Sequence, residues 1–342
     1  MKVLVIKTSS MGDVLHTFPA LSDALEAIPN LTFHWIVEEN FAELPKWHRG
    51  VTKVLPVAVR RWRKSIFSSK TRKEFSQYDR QLRAEKYDLV IDAQGLLKSA
   101  ALSVFAKGLK HGLDRTSARE ALASLFYRRR HAVAGQQHAV LRLRQLFAAA
   151  LGYVVPKTVA NYGIDLNKLP QIDFELPKDY LVCLHGTTWE TKHYPEAYWI
   201  ELLAELSKRA QAVVLPWGSP AEKVRAEKFA ATNPLITVLP KCTLAQMAKV
   251  LGGARAVISV DTGLSHLSAA LHKPTIALYG PTNPALTGTE GPDQIHLAAT
   301  APPCAPCLQR VCHYSGSSIQ YPACFDSVNP ARILQTLDEI MP

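Results

Sequence analysis

Short runs of β-branched and aliphatic residues recur along the chain, separated by segments whose apolar positions repeat at helical spacing. In the first half the runs fall at 3–6, 31–37, 54–57 and 89–92, and the pattern at 14–28 predicts a helix between the first two. Strands this apolar leave no face for water, so they belong in a parallel sheet covered by helices on both sides. A stretch containing Pro and Asn at 156–177 interrupts the alternation, which restarts with runs at 181–184, 213–215, 236–239, 256–260 and 275–278. The pattern therefore predicts an α/β chain of two Rossmann-like domains, 1–165 and 166–342. A last helix is predicted at 329–340, long enough to pack back on the first domain. Ligands of such sheets bind outside the carboxyl ends of the strands, so two facing domains would put a cleft between them. Neither domain opens with a G-x-G-x-x-G turn, which argues against a dinucleotide dehydrogenase.

Composition and charge narrow the class. A chain of 342 residues suits two domains, and 47% apolar content with both charge signs present speaks for a real core and against disorder. Lys7 interrupts the apolar N-terminus, so no signal peptide is expected, and no apolar run approaches the roughly 20 residues of a transmembrane helix. The expected location is the cytoplasm. The net charge of +11 is one-sided: residues 1–160 hold 26 Lys and Arg against 13 Asp and Glu. The first half should therefore meet an acidic partner, whether nucleic acid, anionic lipid or a phosphorylated substrate.

Candidate chemistry lies in the turns after the strands. Lys7-Thr8-Ser9-Ser10-Met11-Gly12-Asp13 follows the first strand, and Asp13 there reads either as a helix cap or as a general base. In the second half, Asp261-Thr262-Gly263-Leu264-Ser265-His266 leads into an apolar helix. Its free N–H groups and dipole suit a diphosphate, although the same string also caps helices without a ligand. The loop carrying Thr187, Thr188 and Lys192 offers two hydroxyls and a cation, enough to neutralise a departing nucleoside diphosphate without metal; otherwise Lys192 is one more solvated lysine. The run Arg60-Arg61-Trp62-Arg63-Lys64 reads as a loop, with Arg128-Arg129-Arg130 further on. Both are either solvated surface or contacts for an anionic membrane or nucleic acid. Cys183 and Cys242 read as packing residues. Cys304, Cys307, Cys312 and Cys324 form either a zinc site or a reduced structural loop, their gaps of four and eleven residues departing from paired C-x-x-C spacing.

These strings resemble the ADP-heptose lipopolysaccharide heptosyltransferases of glycosyltransferase family 9, most closely its type I members. The resemblance spans most of the chain. It is carried by 7–21, 60–64, 92–100, Ala118-Arg119-Glu120, 123–127, Gln137-His138, Lys192-His193, Leu215-Pro216-Trp217-Gly218 and 259–267. It implies a GT-B fold, with the acceptor on the first domain and the ADP-sugar on the second. It further implies inverting transfer of L-glycero-D-manno-heptose from ADP-heptose to the Kdo of Kdo-lipid A, with Asp13 as general base. Thr187, Thr188, Lys192, Thr262, Gly263 and Leu264 would hold the donor phosphates, Asp261 and His266 other donor groups, Glu222 the ribose, and Pro216, Trp217 and Gly218 the nucleotide. Ser10, Gly12, Arg60, Arg61, Arg63, Lys64, Gln94, Lys98 and Arg119 would contact the acceptor. No cofactor, no metal and no nucleic acid are expected, and peripheral attachment to the anionic cytoplasmic face of the inner membrane is. Alternatives are a type II enzyme acting on heptosylated acceptor, a nucleotide-sugar epimerase, and a non-catalytic basic binder.

Overall fold

The computed structural model describes residues 1–231 and 233–341. The chain divides into two compact units, Met1–Lys168 and Leu169–Pro342. Residues 163–165 belong with the first because their backbone is bonded there: Arg49 N–H donates to Gly163 O at 3.1 Å, and Asp165 N–H to Trp47 O at 2.9 Å.

The first unit runs β1 (Lys2–Ile6), α1 (Met11–Leu15), α2 (Phe18–Ala27), β2 (Thr32–Glu38), β3 (Val51–Val57), α3 (Val59–Trp62), α4 (Ser69–Arg83), β4 (Lys86–Asp92), α5 (Leu97–Ser103), β5 (Lys107–Leu113), β6 (Arg129–His131) and α6 (Ala139–Leu151). Its six parallel strands are ordered β3-β2-β1-β4-β5-β6. The second unit runs β7 (Tyr180–Leu184), α7 (Glu196–Lys208), β8 (Ala212–Leu215), α8 (Pro220–Ala230), β9 (Ile236–Val238), α9 (Leu244–Gly253), β10 (Ala256–Val260), α10 (Gly263–Ala270), β11 (Thr275–Tyr279), α11 (Pro284–Thr287), β12 (Gln294–Ala298) and α12 (Pro330–Ile340). Its order is β12-β11-β10-β7-β8-β9, the same 3-2-1-4-5-6 winding read from the other edge. In such a sheet the chain reverses direction of travel between the first and fourth strands, and the crevice outside their carboxyl ends is where ligands bind. Here those points are β1/β4 and β7/β10.

The winding follows from burial. Val3–Ile6 of β1 and all of β7, β10 and β11 are buried, which only a sheet covered on both faces permits. Trp199 and Phe325 anchor the second unit's core, and α12 packs there on α7 and β11. In the first unit Arg144 of α6 holds Asp23 of α2 through Nε at 2.6 Å and Nη2 at 3.2 Å, and also donates to the carbonyls of Pro156 and Thr158. Both side chains are buried, so removing one partner alone would cost about 3–5 kcal/mol.

Several elements differ from expectation. The single helix predicted over 14–28 is broken into α1 and α2 at His16 and Thr17. Pro19 has no N–H for the Leu15 carbonyl and its ring would clash there, so it sits in the first turn of a new helix. Strands β5, β6 and β12 escaped the apolar reading because Lys, Arg, His and Gln occupy half or more of their positions or interrupt the run. Arg60 and Arg61 lie on the short helix α3 rather than in a loop, and Arg129 and Arg130 lie on the edge strand β6. No described helix is long and apolar enough to cross a membrane.

Candidate active site

Ile6 at the end of β1 stands opposite Asp92 at the end of β4, so the turns after them are neighbours at the first unit's reversal point. Gln94 locks the two turns together. Its Oε1 accepts from Thr8 N–H at 2.9 Å and Ser9 N–H at 3.3 Å, while its Nε2 donates to Ser9 O at 2.8 Å. The Gln94 amide is thus used on the backbone of the loop that carries Asp13. Below it, buried Asp92 accepts from Tyr127 Oη at 2.7 Å, Ser99 Oγ at 2.8 Å and Gln94 N–H at 2.8 Å. Burial raises its pKa against these bonds. Tyr127 reaches it because Gly112 has no Cβ, which would run into the tyrosine ring.

Asp13 occupies the third position of α1, and Ser10 caps the helix. Asp13 Oδ2 accepts from Ser10 N–H at 3.1 Å and Ser10 Oγ at 3.2 Å. The other oxygen, Oδ1, faces Lys7 Nζ at 3.4 Å and Arg119 Nη1 at 3.8 Å. Burial opposes ionisation, but Lys7, then Arg119 and His16, outweigh it and hold the carboxyl well below the ordinary carboxylate range. Asp13 is therefore both the capping-box partner of Ser10 and an ionised carboxylate. At 29% side-chain exposure the Asp13 carboxylate stays reachable from solvent. Gly12 beside it is buried within α1. Lys7, quoted in the sequence as the first residue of the string leading to Asp13 but given no role, lies beside that carboxylate. Its ammonium is buried, donates to Ala93 O at 3.1 Å, and has its pKa lowered by burial.

The basic residues differ in freedom. Arg61 is clamped by Glu39 at 3.2 and 3.0 Å and Glu74 at 2.8 Å. Arg60 is exposed and its N–H caps onto Glu38 at 3.0 Å. Arg63 and Lys64 are exposed, Lys98 lies half-buried in the first turn of α5, and Arg119 is 57% exposed.

The second unit repeats the arrangement at β7/β10. Asp261 follows β10, and Lys192, after β7, reaches its Oδ2 at 2.7 Å. Thr282 Oγ1 donates to the same oxygen at 2.6 Å, and Thr187 Oγ1 donates to Asp261 O at 3.0 Å. Thr262 caps α10 with Ser265, and Gly263 and Leu264 form the helix's half-buried first turn. His266 is buried and Thr188 exposed. Trp189, given no role in the sequence, has two cations over its ring: Lys192 Nζ is 4.6 Å and the Arg310 guanidinium 5.2 Å from its centre. Hydroxyls, two cations and a helix N-terminus converge here, which is the chemistry that receives a diphosphate.

Glu222 is the third residue of α8 and accepts from Gly218 N–H at 2.7 Å and Ser219 N–H at 3.1 Å. A Cβ on Gly186 would stand 2.6 Å from its carboxylate, so glycine lets the loop after β7 close on α8. Pro216 is buried and Trp217 donates Nε1–H to Leu239 O at 2.7 Å. Arg225, another residue the sequence reading passed over, ties this corner together: its Nε donates to His185 Nδ1 at 3.1 Å and its Nη2 to His185 O at 3.1 Å.

All four late cysteines line one small cavity beside Gly280 and Thr191, and Thr191 Oγ1 donates to Gln309 O of the cysteine-bearing loop at 2.6 Å. All six cysteines are free, and among the described residues no three His, Cys, Asp or Glu side chains are arranged to hold a metal. Burial, with the neighbouring thiols, pushes Cys324 up to about 12, and burial alone does the same to Cys183. Cys242 is half-buried, its thiol 3.3 Å from Pro240 O.

Residues 76–317 match the family model of glycosyltransferase family 9 (heptosyltransferase). Lipopolysaccharide heptosyltransferase 1 of Pseudomonas aeruginosa is 52% identical over 351 residues, covering 100% of this chain and 98% of that protein. The solved structure of the Escherichia coli heptosyltransferase WaaC with ADP superposes with a TM-score of 0.87 at 47% identity, covering 99% of this chain and 100% of the other. The same enzyme with ADP-2-deoxy-2-fluoro heptose gives 0.84 at 46% identity, covering 99% of each chain. With two six-stranded parallel sheets of one winding and a match of this extent, the chain belongs to glycosyltransferase family 9 and is a heptosyltransferase of GT-B type.

Proposed function

We propose that this chain transfers L-glycero-D-manno-heptose from ADP-heptose to the Kdo of Kdo-lipid A, with inversion and without metal, in synthesis of the lipopolysaccharide inner core. The first unit takes the acceptor and the second the donor. Asp13 carries the reading: an ionised carboxylate with one oxygen tied to Ser10 of its own helix cap and the other beside Lys7, on a side chain 29% exposed. As the Kdo hydroxyl oxygen bonds to the anomeric carbon, its proton passes to Asp13, and the bond from that carbon to the diphosphate oxygen breaks on the opposite face. A carboxylate is a far weaker base than an alkoxide, so the proton transfer follows the developing O–C bond rather than preceding it. Charge gathering on the leaving ADP is met by Lys192, the Thr187 and Thr188 hydroxyls and the amides opening α10, with no ion required. Asp261 and His266 orient the donor, Glu222 its ribose, and Pro216, Trp217 and Gly218 border the nucleotide. Ser10, Gly12, Arg60, Arg61, Arg63, Lys64, Lys98 and Arg119 serve the anionic acceptor, and Gln94 serves it by holding the loop. The lipid-linked acceptor implies peripheral, salt-sensitive attachment to the cytoplasmic face of the inner membrane.

The test is ADP release from ADP-heptose with and without Kdo-lipid A, in chelator, for the wild type and Asp13→Ala. Acceptor-dependent release that survives chelation and is lost in the variant is expected. Release only with heptosylated acceptor would make the enzyme type II, and release without acceptor would overturn the transferase reading.

A further inference from the structure

An apolar tip stands out from the first unit where nothing in the proposed chemistry uses it. Phe67 is 87% and Ile66 57% exposed, although the residues on either side are firmly held. Trp62 is buried and donates Nε1–H to Glu74 at 2.8 Å. Beyond it Lys64 N–H bonds Arg61 O at 3.0 Å, Ser65 N–H bonds Trp62 O at 3.1 Å, and Ser68 N–H bonds Ser65 O at 3.0 Å. Ser68 then caps α4, accepting from Thr71 N–H at 3.1 Å. A turn braced this way holds its two large apolar side chains outward. Exposed cations flank the tip: Arg63 and Lys64 before it, Lys70, Arg72 and Lys73 after it. The acids nearest in the hydrogen-bond network, Glu39 and Glu74, are both taken up by Arg61.

The tip also lies on a meaningful edge. It joins α3, which follows β3, to α4, which returns toward the start of β4, so it sits at the carboxyl edge of the sheet, as Asp13 does after β1. Further along that edge, α5 and the 3-10 turn Ala121–Phe126 pack together, with Leu97 N–H bonded to Glu120 at 2.6 Å. They expose Leu97, Leu122, Leu125 and Phe126. Exposed apolar groups thus occur on both sides of Asp13 in the strand order β3-β2-β1-β4-β5.

We infer that the Ile66–Phe67 tip inserts into an anionic lipid surface, with Arg63, Lys64, Lys70 and Lys73 on the headgroups, so that the carboxyl edge bearing Asp13 faces the bilayer. The partner is identified by complementarity: apolar side chains with a cationic collar match acyl chains beneath anionic headgroups. The inference rests on the lipid-linked acceptor proposed above, and it says how the enzyme meets that acceptor without drawing it out of the membrane.

The experiment compares the wild type with Ile66→Ser/Phe67→Ser in co-sedimentation with phosphatidylcholine vesicles containing phosphatidylglycerol. Transfer is measured to Kdo-lipid A embedded in those vesicles and to an acyl-free Kdo acceptor. The double variant should bind vesicles about tenfold more weakly, lose transfer to the embedded acceptor in proportion, and keep both its transfer to the acyl-free acceptor and its thermal midpoint. Lys70→Gln/Lys73→Gln should weaken sedimentation roughly fivefold per cation and flatten its salt dependence. Vesicle binding equal to wild type would overturn the inference, and so would an equal loss of transfer to both acceptors, which would make the tip an acceptor contact. A wild type that sediments through the tip yet transfers to neither acceptor would leave the docking surface standing and remove the proposed function.

Discussion

The two units wind their sheets identically and each sets an aspartate against a lysine at the reversal point, yet the pairs are built for different work. Lys192 and Asp261 are 2.7 Å apart with side chains 16% and 9% exposed, and Thr282 closes on the same carboxylate oxygen. Lys7 and Asp13 are 3.4 Å apart, with the lysine at 6% and the aspartate at 29%. In the second unit the carboxylate is spent on fixing a cation. In the first the cation is sunk beneath a carboxylate whose edge stays open. Topology sets where such pairs occur, and which partner remains reachable sets what each can do.

The sharpest way to break the comparison is to make the same change at both points. Asp13→Asn should lower transfer by about 10²–10⁴ while leaving ADP affinity within about twofold, because a general base acts in the transition state. Asp261→Asn should instead weaken ADP binding, since Lys192 loses its anchor. Titration calorimetry with ADP beside initial rates separates them, and the same pattern in both variants would mean the pairs are equivalent. A smaller effect is expected from Gly186→Ala, whose Cβ must displace Glu222. The donor KM should rise by about tenfold, the worth of one charged hydrogen bond, with kcat nearly kept. An unchanged KM would detach Glu222 from the donor.

The smallest effect concerns pH. Asp13 has a lowered pKa, so its ionisation does not change between pH 8 and the ordinary carboxylate range, and transfer should show no acid limb from it there. Stability behaves differently. Burial lowers His48 to about 3 and His185 to about 4, so between these values and the unfolded value near 6.5 the unfolded chain binds more protons than the folded one. Stability is therefore full above pH 6.5 and lost progressively as pH falls. Thermal midpoints should drop between pH 7 and 5 in the wild type and drop less in His48→Gln.

Much of the fold was legible because fully buried parallel strands write themselves as unbroken apolar runs. Strands β1, β7, β10 and β11 were found for that reason, and β5, β6 and β12 were missed because their polar positions mimic loop. The motif strings located Asp13, Lys192 and Asp261. They gave no role to Arg225 and Thr282, which act through side-chain contacts between segments distant in the chain. Thr282, for example, meets Asp261 across 21 positions. The cysteines show another limit: their spacing left a zinc site and a reduced loop both open, and only the fold shows that all four line one cavity.

What the sequence determined by itself was the periodic burial that demands two doubly covered sheets, and the turns at which charge and hydroxyl groups would be offered. Those are properties of neighbouring residues, and neighbours are what a sequence states. Only the tertiary structure decided that Lys7 lies beneath Asp13, that Gln94 is used on the loop backbone, and that Phe67 stands in solvent on a braced turn. Burial and electrostatic pairing depend on distance in space. A lysine, a glutamine or a phenylalanine acquires its role only when the folded chain fixes what surrounds it.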